Sequence, residues 1–342
     1  MTPQQYRELR QQLAKDGLFK AHNGTGLAMV VGEASLFLAG LFWLSLLQPW
    51  SIGFIALQIV LGSSVFRLFV LMHDCGHYSL FRTRWLNTLF GLLTSMPGLV
   101  PLEGWRENHY KHHRWVGIRD KDPSAVGLIS FEQKKQYSRL YVALLRLIWV
   151  LRLPVPALTF IINSLWLCSF RLTRQGQYKR AAKVLFSSLV AGAPHALAVS
   201  VLGWSTYLTY FGPILLTWLL WYEMINLIHH SGLYSLDSTQ HPEPLALYEQ
   251  QRVSRSTYMP TWLSAVLGYH FTLHAEHHLF PLIPWHHLPA VRRALAQIQV
   301  HDYLDVPFIK FNMALRREDP VQVLLNRMSP AIQRLHKPLL RP

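Results

Sequence analysis

The sequence is poor in charge, in acidic residues and in cysteine. Only 15% of its 342 residues are charged, whereas soluble domains usually carry about 25%. Two cysteines, Cys75 and Cys168, are too few to indicate a disulfide framework. Hydrophobic residues make up 51% of the chain. This combination argues against an ordinary soluble domain and favours an integral membrane protein.

The shortage of acidic residues leaves a strongly basic chain. Its 33 Lys and Arg residues outnumber 18 Asp and Glu residues, which gives a net charge of +15. The sequence contains no zinc-finger spacing, basic zipper or RNA-binding strand motif, so nucleic acid is not expected as a partner. The charge instead fits anionic lipid headgroups or an acidic protein partner.

The first residues do not have the pattern expected of a cleavable signal peptide. Residues 1–26 are polar and basic, and the first apolar run starts near Leu27 and is long enough to cross a bilayer. We therefore expect residues 1–26 to form a cytosolic N-terminal segment that is followed by a retained signal-anchor helix.

The sequence contains several long apolar runs joined by short connections. The short connections LQPWS and GWST between them carry no charge, whereas Arg and Lys are frequent in residues 73–183 and after the last run. The positive-inside rule then places both termini and residues 73–183 in the cytosol, at the inner or plasma membrane if the protein is bacterial. Four runs have the roughly 20 residues that a spanning helix needs, at about residues 27–48, 51–72, 184–203 and 205–228.

The sequence thus predicts an all-α, multi-pass integral membrane fold. Four transmembrane helices would form two hairpins, with a cytosolic helical cap that carries most of the histidines. We expect one membrane domain over residues 27–300 and a cytosolic C-terminal tail over residues 301–342.

Residues 140–170 are the ambiguous segment. They are apolar enough to span, but Arg146 and Arg152 interrupt the run and Pro154 and Pro156 break it. A single crossing here would reverse the sidedness of everything downstream and spoil the charge pattern. An interfacial amphipathic helix with a re-entrant or surface piece is therefore expected, and a tight hairpin is the alternative.

Glu33, His195 and Glu223 are ionisable residues within the predicted spans, where such groups are candidates for function. Glu33 lies near the start of the first span and Glu223 near the end of the fourth, so both are expected to be hydrated at the interface. His195 lies within the third span and has no titratable neighbour in sequence. We expect it to be a core histidine whose ring nitrogens are satisfied.

The 18 histidines are concentrated in a few short motifs. HDCGH spans residues 73–77, and H-x-x-H-H occurs twice, as HYKHH at 109–113 and as HAEHH at 274–278. Residues three and four apart lie on one face of a helix, so each motif can aim its imidazoles at one point. One such motif alone is weak evidence for metal binding, but three on the same side of a membrane are strong.

Neutral imidazole is a good ligand for iron, zinc or copper. Eight histidines exceed the needs of one tetrahedral site and fit two metal ions. The second span leads directly into HDCGH, and the fourth leads into NLIHH, where an asparagine and a histidine are again four apart. The spans would then hold a metal centre just above the bilayer. The candidate ligands are His73, His77, His109, His112, His113, Asn226, His230, His274, His277 and His278, with His229 as an alternative to His230.

Carboxylates close to these motifs can orient imidazoles by accepting the proton of the second ring nitrogen. Solvated surface carboxylates are the alternative for each of them. The candidates are Asp74, Glu107, Asp120, Asp122 and Glu276. His270 is a candidate outer partner or a simple polar contact, and His286 and His287 are expected at the membrane interface.

Together these motifs resemble the three histidine boxes of the integral-membrane fatty acid desaturase superfamily. The similarity covers roughly residues 50–300 and includes HDCGHYSLFRTRWLN and the LFPLIPWHHLP that follows the third box. The first box, with three residues between its histidines, is similar to that of the acyl-lipid, omega-6/Δ12-like branch.

The resemblance implies an enzyme with a cytosol-facing di-iron centre, which uses O₂ and two electrons to introduce a double bond into an acyl chain. The histidines of the three boxes would be the iron ligands. Asn226 and His230 match a further asparagine and histidine of the family, of which the asparagine holds a water. The substrate would be an acyl-lipid or another carrier-bound acyl chain, presented in an apolar tunnel lined by the spans and by residues 85–103.

Two departures from the family pattern qualify this resemblance. Some members carry a fused cytochrome b5 domain with His-Pro-Gly-Gly, but this chain has only His241, Pro242 and Glu243. Electrons would then come from a separate donor such as ferredoxin or cytochrome b5. YHFTLHAEHH and IPWHHLP also resemble the carotenoid ketolase and hydroxylase branch, so a hydroxylase or ketolase acting on lipid or carotenoid is the alternative function.

Two functions of other classes are disfavoured. A membrane metal transporter is expected to have its ligands inside the spans, whereas these histidines follow the ends of the spans. A bis-histidine haem protein would want pairs at mid-membrane, where only His195 lies.

Overall fold

The computed structural model describes residues 1–125, 138–234, 236–298, 300, 302–324 and 328–337. Residues 126–137 of the predicted cytosolic region and the last five residues of the predicted tail lie outside this part of the chain. The described residues are mostly helical, and helices carry every candidate ligand except His77, which caps the helix that precedes it.

The N-terminal half is a series of five helices. They are α1 (Pro3–Lys15), α2 (Asn23–Leu46), α3 (Ile52–Gly76), α4 (Arg84–Ser95) and α5 (Leu102–Trp115). The Ser51 hydroxyl caps α3 by accepting from the Phe54 amide at 3.2 Å. Helix α3 runs four residues beyond the predicted span, which puts His73 in its last turn and makes His77 its C-cap.

The segment between residues 139 and 174 is helical but sharply bent. It contains α6 (Arg139–Val150), α7 (Val155–Phe160), a π-helical continuation (Ile161–Trp166) and α8 (Cys168–Arg174). The axes of residues 139–150 and 155–166 differ by 116°. Pro154 and Pro156 lie at this bend, as expected for residues that interrupt a helix, so residues 140–170 do not form one straight span.

Helix α9 (Tyr178–His230) contains both of the last two predicted spans. Its 53 residues would extend about 80 Å if straight, far more than the hydrocarbon core of about 30 Å. The run is broken at Gly203, which has φ 77° and ψ 160°. A ring nitrogen of His195 lies 2.8 Å from the Tyr207 hydroxyl, so the two halves double back on each other at this glycine.

Three described helices, α2, α3 and α9, are long and apolar enough to cross a membrane. The bent pair in residues 139–166 would add a fourth candidate span if it counts as one. Since the break at Gly203 coincides with the predicted end of the third span, the two halves of α9 match the predicted third and fourth spans in extent.

The C-terminal third contains short elements. These are a 3₁₀ turn (Leu247–Arg252), β1 (Arg255–Tyr258), α10 (Thr261–Gly268), α11 (His274–Leu279), a second 3₁₀ turn (Trp285–His287), α12 (Leu288–Gln297), β2 (Leu304–Pro307), α13 (Phe308–Arg317), α14 (Pro320–Leu324) and α15 (Pro330–Gln333). Residues beyond 300 join the main core, because Phe311 and Leu315 of α13 are fully buried in it.

The expectation of an all-α fold is wrong in one detail. Strands β1 and β2 pair in parallel, with Ser256 opposite Asp305 and Thr257 opposite Val306. The β-branched residues of both strands favour extended backbone. This small sheet ties the chain that follows α9 to the segment that precedes α13.

Glu33 and Glu223 were expected to be hydrated at the membrane interface, and this expectation is also wrong because both are buried. Glu33 is 6% exposed and pairs with Arg67 at 2.8 Å, a partner in the second span that sequence reasoning missed. Glu223 is 4% exposed and pairs with Arg316 of α13 at 2.5 Å. Charges buried this far from water need such partners. Both ring nitrogens of His195 have partners as expected, since the second lies 2.9 Å from the Met96 carbonyl oxygen, but the residue is half-buried and not part of the core.

Removing the Glu33 charge is expected to destabilise the protein strongly. Glu33→Gln leaves the mostly buried Arg67, whose side chain is 14% exposed, without a counter-ion, and breaking a buried pair from one side costs about 3–5 kcal/mol. The double variant Glu33→Gln/Arg67→Met removes both charges and is expected to recover most of this loss. Thermal unfolding in detergent measures the difference, and equal melting temperatures for wild type and Glu33→Gln would contradict it.

Candidate metal centre

Four helices converge at the histidine motifs. Helix α3 ends at the HDCGH motif, α5 carries HYKHH in its last two turns, α9 ends with His229 and His230, and the short α11 is built from HAEHH. Because α3 and α9 pack against each other along much of their lengths, their ends lie side by side and present their histidines to the other two helices.

The first histidine group consists of His73, His77, His109 and His277. One ring nitrogen from each lies within 4.8 Å of all the others. His113 adjoins this group, since its Nε2 is 3.0 Å from Nε2 of both His109 and His277. Three predicted motifs therefore supply one cluster of five imidazoles.

The second histidine group consists of His112, His230, His274 and His278, again with one ring nitrogen from each within 4.8 Å of the others. The Nε2 atoms of His230 and His274 are 2.7 Å apart, and those of His278 and His274 are 3.0 Å apart. In each H-x-x-H-H motif the first and last histidines meet at one group and the middle one joins the other, because neighbouring residues are about 100° apart around a helix.

Hydrogen-bond acceptors fix the ring orientation in the second histidine group. The Nδ1–H of His230 donates to the Val253 carbonyl at 3.0 Å, and that of His112 donates to the Asp122 carboxylate at 2.9 Å. Gln250 donates from its Nε2 to the His113 carbonyl, which leaves its Oε1 to accept from His278 Nδ1 at 3.1 Å. With Nδ1 protonated in all three rings, each Nε2 lone pair points into the group.

Burial favours the neutral form of six of these imidazoles. It is the main cause that lowers their pKa, and neighbouring histidines lower it further, since two imidazolium ions would repel each other. Neutral imidazole is the form that binds metals. The pKa is held well below 6.5 at His77, His109, His113, His274, His277 and His278.

The donor set fits metal ions. Several Nε2 lone pairs meet at 2.7–3.0 Å in each group, and one proton can bridge only one pair of nitrogens. The Nε2 atoms of His73 and His77 are buried without a hydrogen-bond partner among the described residues, which costs free energy unless something binds them. A cation at each group would satisfy all these atoms at once.

The two adjacent histidines at the end of α9 have different surroundings. His230 belongs to the second histidine group. His229 stacks face to face on His274 at 3.8 Å and belongs to neither group. Asn226 lies one turn before His230 and donates to the Tyr222 carbonyl at 2.7 Å, and its side chain lines the cavity beside the histidines.

Two of the five candidate carboxylates contact an imidazole of the site. Asp122 accepts from His112, and Asp74 lies 3.1 Å from Nδ1 of His73. Glu107 instead pairs with Arg180, Asp120 accepts from Ser238, and Glu276 accepts from Ser256 and Tyr303.

Three contributors to the site were missed in the sequence. Gln250 and the Val253 carbonyl orient imidazoles of the second group, and the Trp105 ring stacks on His109 at 4.1 Å. Trp105 stands one turn before His109 on α5, a spacing that could have indicated this contact. Nothing in the local sequence marks Gln250, which lies 28 residues before His278.

A cavity of about 210 Å³ opens onto both groups. His73 and His109 line it from the first group, and His112, His230 and His274 from the second. The expectation that residues 85–103 line this space is wrong. The other walls come mainly from α3, α5, α7, the π-helix, the second half of α9 with the chain just after it, and the turn before α11. They are mainly apolar and include Phe69, Trp105, Pro156, Ala157, Phe160, Leu165, Tyr222, Leu227 and Phe271.

Loss of the Asp122 carboxylate is expected to weaken metal binding at the second group selectively. Asp122→Asn removes the acceptor that fixes His112, and losing such a partner typically lowers metal affinity or activity about 10–100-fold. Asp120→Asn is the matched control, because Asp120 contacts Ser238 and no imidazole of either group. Metal content per chain measures both, and equal loss in the two variants would contradict the role of Asp122.

These features define a class: a helical membrane protein with two buried histidine groups that can hold metal ions beside an apolar cavity. The sequence model of the family described as "Fatty acid desaturase" matches residues 48–309. The chain therefore belongs to the fatty acid desaturase family, a family of oxidoreductases.

Curated relatives agree with this assignment. The chain is 29% identical to the sn-1 acyl-lipid omega-3 desaturase (ferredoxin) of Nostoc sp. (strain 36), over 74% of this chain and 70% of the relative. It is 26% identical to the sn-1 oleoyl-lipid 12-desaturase of Picosynechococcus sp., over 76% and 73%. It is 28% identical to the acyl-lipid omega-3 desaturase (cytochrome b5) of Arabidopsis thaliana, over 69% and 62%. The resemblance to the acyl-lipid branch is thereby confirmed.

Proposed function

We propose that this protein is a di-iron acyl-lipid desaturase. The balanced reaction is –CH₂–CH₂– + O₂ + 2 e⁻ + 2 H⁺ → –CH=CH– + 2 H₂O. The observation that carries the proposal is that two separate histidine groups open onto one apolar cavity. A single metal would leave one group unsatisfied, and a polar substrate would not suit these walls.

The ligand assignment follows the two groups. His73, His77, His109, His113 and His277 would hold one iron. His112, His230, His274 and His278 would hold the other, with Asn226 placed to support a water beside it. When bound, the two irons supply the activation of O₂, which protein side chains cannot perform.

The protein's own residues would position the acyl chain and keep water away. Phe69, Phe271 and Trp105 stand where the cavity meets the histidines, so a methylene pair held there has apolar neighbours on several sides. Excluding water protects the oxidising equivalents from side reactions. The buried, neutral imidazoles add no protons that would compete with metal binding.

The proposed arrangement in the membrane is two hairpins with both termini in the cytosol. Two features support this arrangement: the break at Gly203, and the absence of charge in the LQPWS and GWST connections between the paired spans. The histidine groups would then lie in a cytosolic cap formed by α5, α11 and the short C-terminal elements, and acyl chains would enter from the bilayer. The bent segment of residues 139–166 is proposed to be re-entrant and to form one wall of the cavity.

The proposed substrate is an acyl chain esterified to a membrane lipid, in keeping with the acyl-lipid relatives. The proposed electron source is a separate one-electron carrier, either ferredoxin or cytochrome b5, the donors for which two of the relatives are named.

Mass spectrometry of the lipids of an expressing host tests the function. Acyl chains lighter by two hydrogens, absent from a host with the empty vector, are the expected result, and the bond position then gives the regiochemistry. Lipids or carotenoids that gain oxygen would instead identify a hydroxylase or ketolase on the same scaffold. An unchanged lipid profile despite an iron-loaded protein would contradict both.

A further inference from the structure

The outer face of α5 is the surface closest to the histidine groups. Its inward positions, His109, His112 and His113, contribute to both groups, and its outward positions alternate with them along the same turns. Tyr110 is 43% exposed, and Lys111 and Arg114 are exposed. One helix diameter thus separates solvent from the proposed iron ligands.

Tyr110 connects this outer face to the first histidine group twice. It follows His109 in the chain, and its ring lies 6.0 Å from the ring of His77, measured between centroids. Its hydroxyl donates to the Gly76 carbonyl at 2.5 Å. An exposed aromatic ring therefore contacts one ligand through space and another through a peptide bond.

The charge around Tyr110 is positive. Lys111 and Arg114 have no carboxylate partner among the described residues, and Arg84, which is exposed, lies over the ring of neighbouring Tyr78 at 4.4 Å. Glu107, the acidic residue on the same helix face, is already paired with Arg180. Such a surface attracts a negatively charged protein and speeds its approach.

We propose that this surface, made of Arg84, Tyr110, Lys111 and Arg114, is where an acidic one-electron carrier protein docks. This inference rests on the proposed function. Each encounter oxidises one reduced carrier and delivers one electron through Tyr110 toward His77 and His109. Two encounters supply the two electrons for each O₂, and water supplies the two protons. The acyl chain uses the cavity on the inner side of α5, so carrier and substrate do not compete for space.

Binding of the carrier tests the docking surface without any lipid product. The probe is an acidic [2Fe–2S] ferredoxin, titrated onto the full-length protein in detergent at low and at high salt. Lys111→Glu/Arg114→Glu is expected to weaken binding about tenfold or more at low salt, with little difference at high salt. Lys310→Glu/Arg334→Glu, which makes the same charge change at two exposed residues outside this surface, is the charge-matched control. Unchanged binding by the double variant, or an equal loss in the control, would overturn the proposal.

Rapid-mixing kinetics test the role of Tyr110. Oxidation of reduced ferredoxin by the iron-loaded protein is expected to slow about tenfold or more in Tyr110→Leu relative to wild type, because this variant lacks the ring that contacts His77. Tyr110→Phe keeps the ring and is expected to stay within about threefold of wild type. Reduction by dithionite, a small molecule that needs no docking, is expected to be equal in all three. A Tyr110→Leu rate equal to wild type would refute the route, and normal binding with no lipid product would refute the function alone.

Discussion

Replacing His274 with alanine is expected to abolish both iron loading at the second histidine group and desaturation. His274 is the centre of that group, since its Nε2 lies 2.7 Å from His230 and 3.0 Å from His278. Losing a ligand outright is expected to cost more than the roughly 100-fold effect of losing an outer partner. Inductively coupled plasma emission spectrometry measures the iron content per chain, and mass spectrometry of lipids measures desaturation.

His270→Ala is the matched control for this prediction. His270 is similarly buried and lies four residues before His274. Its ring contacts the Ser264 hydroxyl at 3.2 Å and belongs to neither group. We expect it to keep its iron and its activity. Full iron content and activity in His274→Ala would overturn the ligand assignment, and equal losses in both variants would indicate a folding defect instead.

Filling the cavity is expected to abolish desaturation while leaving the iron in place. Ala157 is buried in α7, belongs to neither histidine group, and lines the cavity of about 210 Å³. Phenylalanine there would occupy much of the space that the acyl chain needs. Overpacking of this kind costs about 1–3 kcal/mol, so the protein is expected to fold and to load iron. Product yield and iron content, measured together, separate the two functions.

Leu158→Phe is the control for the cavity prediction, because Leu158 is the next residue on α7 and is 42% exposed. It is expected to behave as wild type. If Ala157→Phe still makes product at the normal rate, this cavity is not the acyl-chain site. If it loses iron as well as product, the substitution has disturbed the histidines and the cavity remains to be tested with a smaller change, Ala157→Val.

The histidine motifs and the spans were predictable because both are local patterns. Apolar runs of about 20 residues indicate spans from composition alone. Helix α9 is interrupted at Gly203, the first residue of the uncharged GWST connection that was predicted to separate two spans. H-x-x-H-H fixes three imidazoles on one helical face whatever the rest of the chain does. The apolar end of α3 likewise led straight to His73 and His77.

The pairing of distant groups was not predictable in the same way. Glu33 and Glu223 look like interfacial carboxylates in the sequence, but Arg67 and Arg316 reach them only once α2 packs on α3 and α13 on α9. The cavity walls are another case. Residues 85–103 were expected to line the cavity, but the chain that follows the bend at Pro154 and Pro156 supplies Ala157 and Leu165 to its wall instead.

The sequence by itself determined that this is a helical membrane protein, which residues form each histidine motif, and the family to which those motifs belong. Only the tertiary structure decided how nine histidines divide into two groups, that His230 rather than His229 joins the second, and that Gln250 and Asp122 orient the rings. The physical reason is range. Helical spacing is set by neighbours three and four residues apart, whereas a donor, an acceptor or a counter-ion from another helix depends on how the whole chain packs.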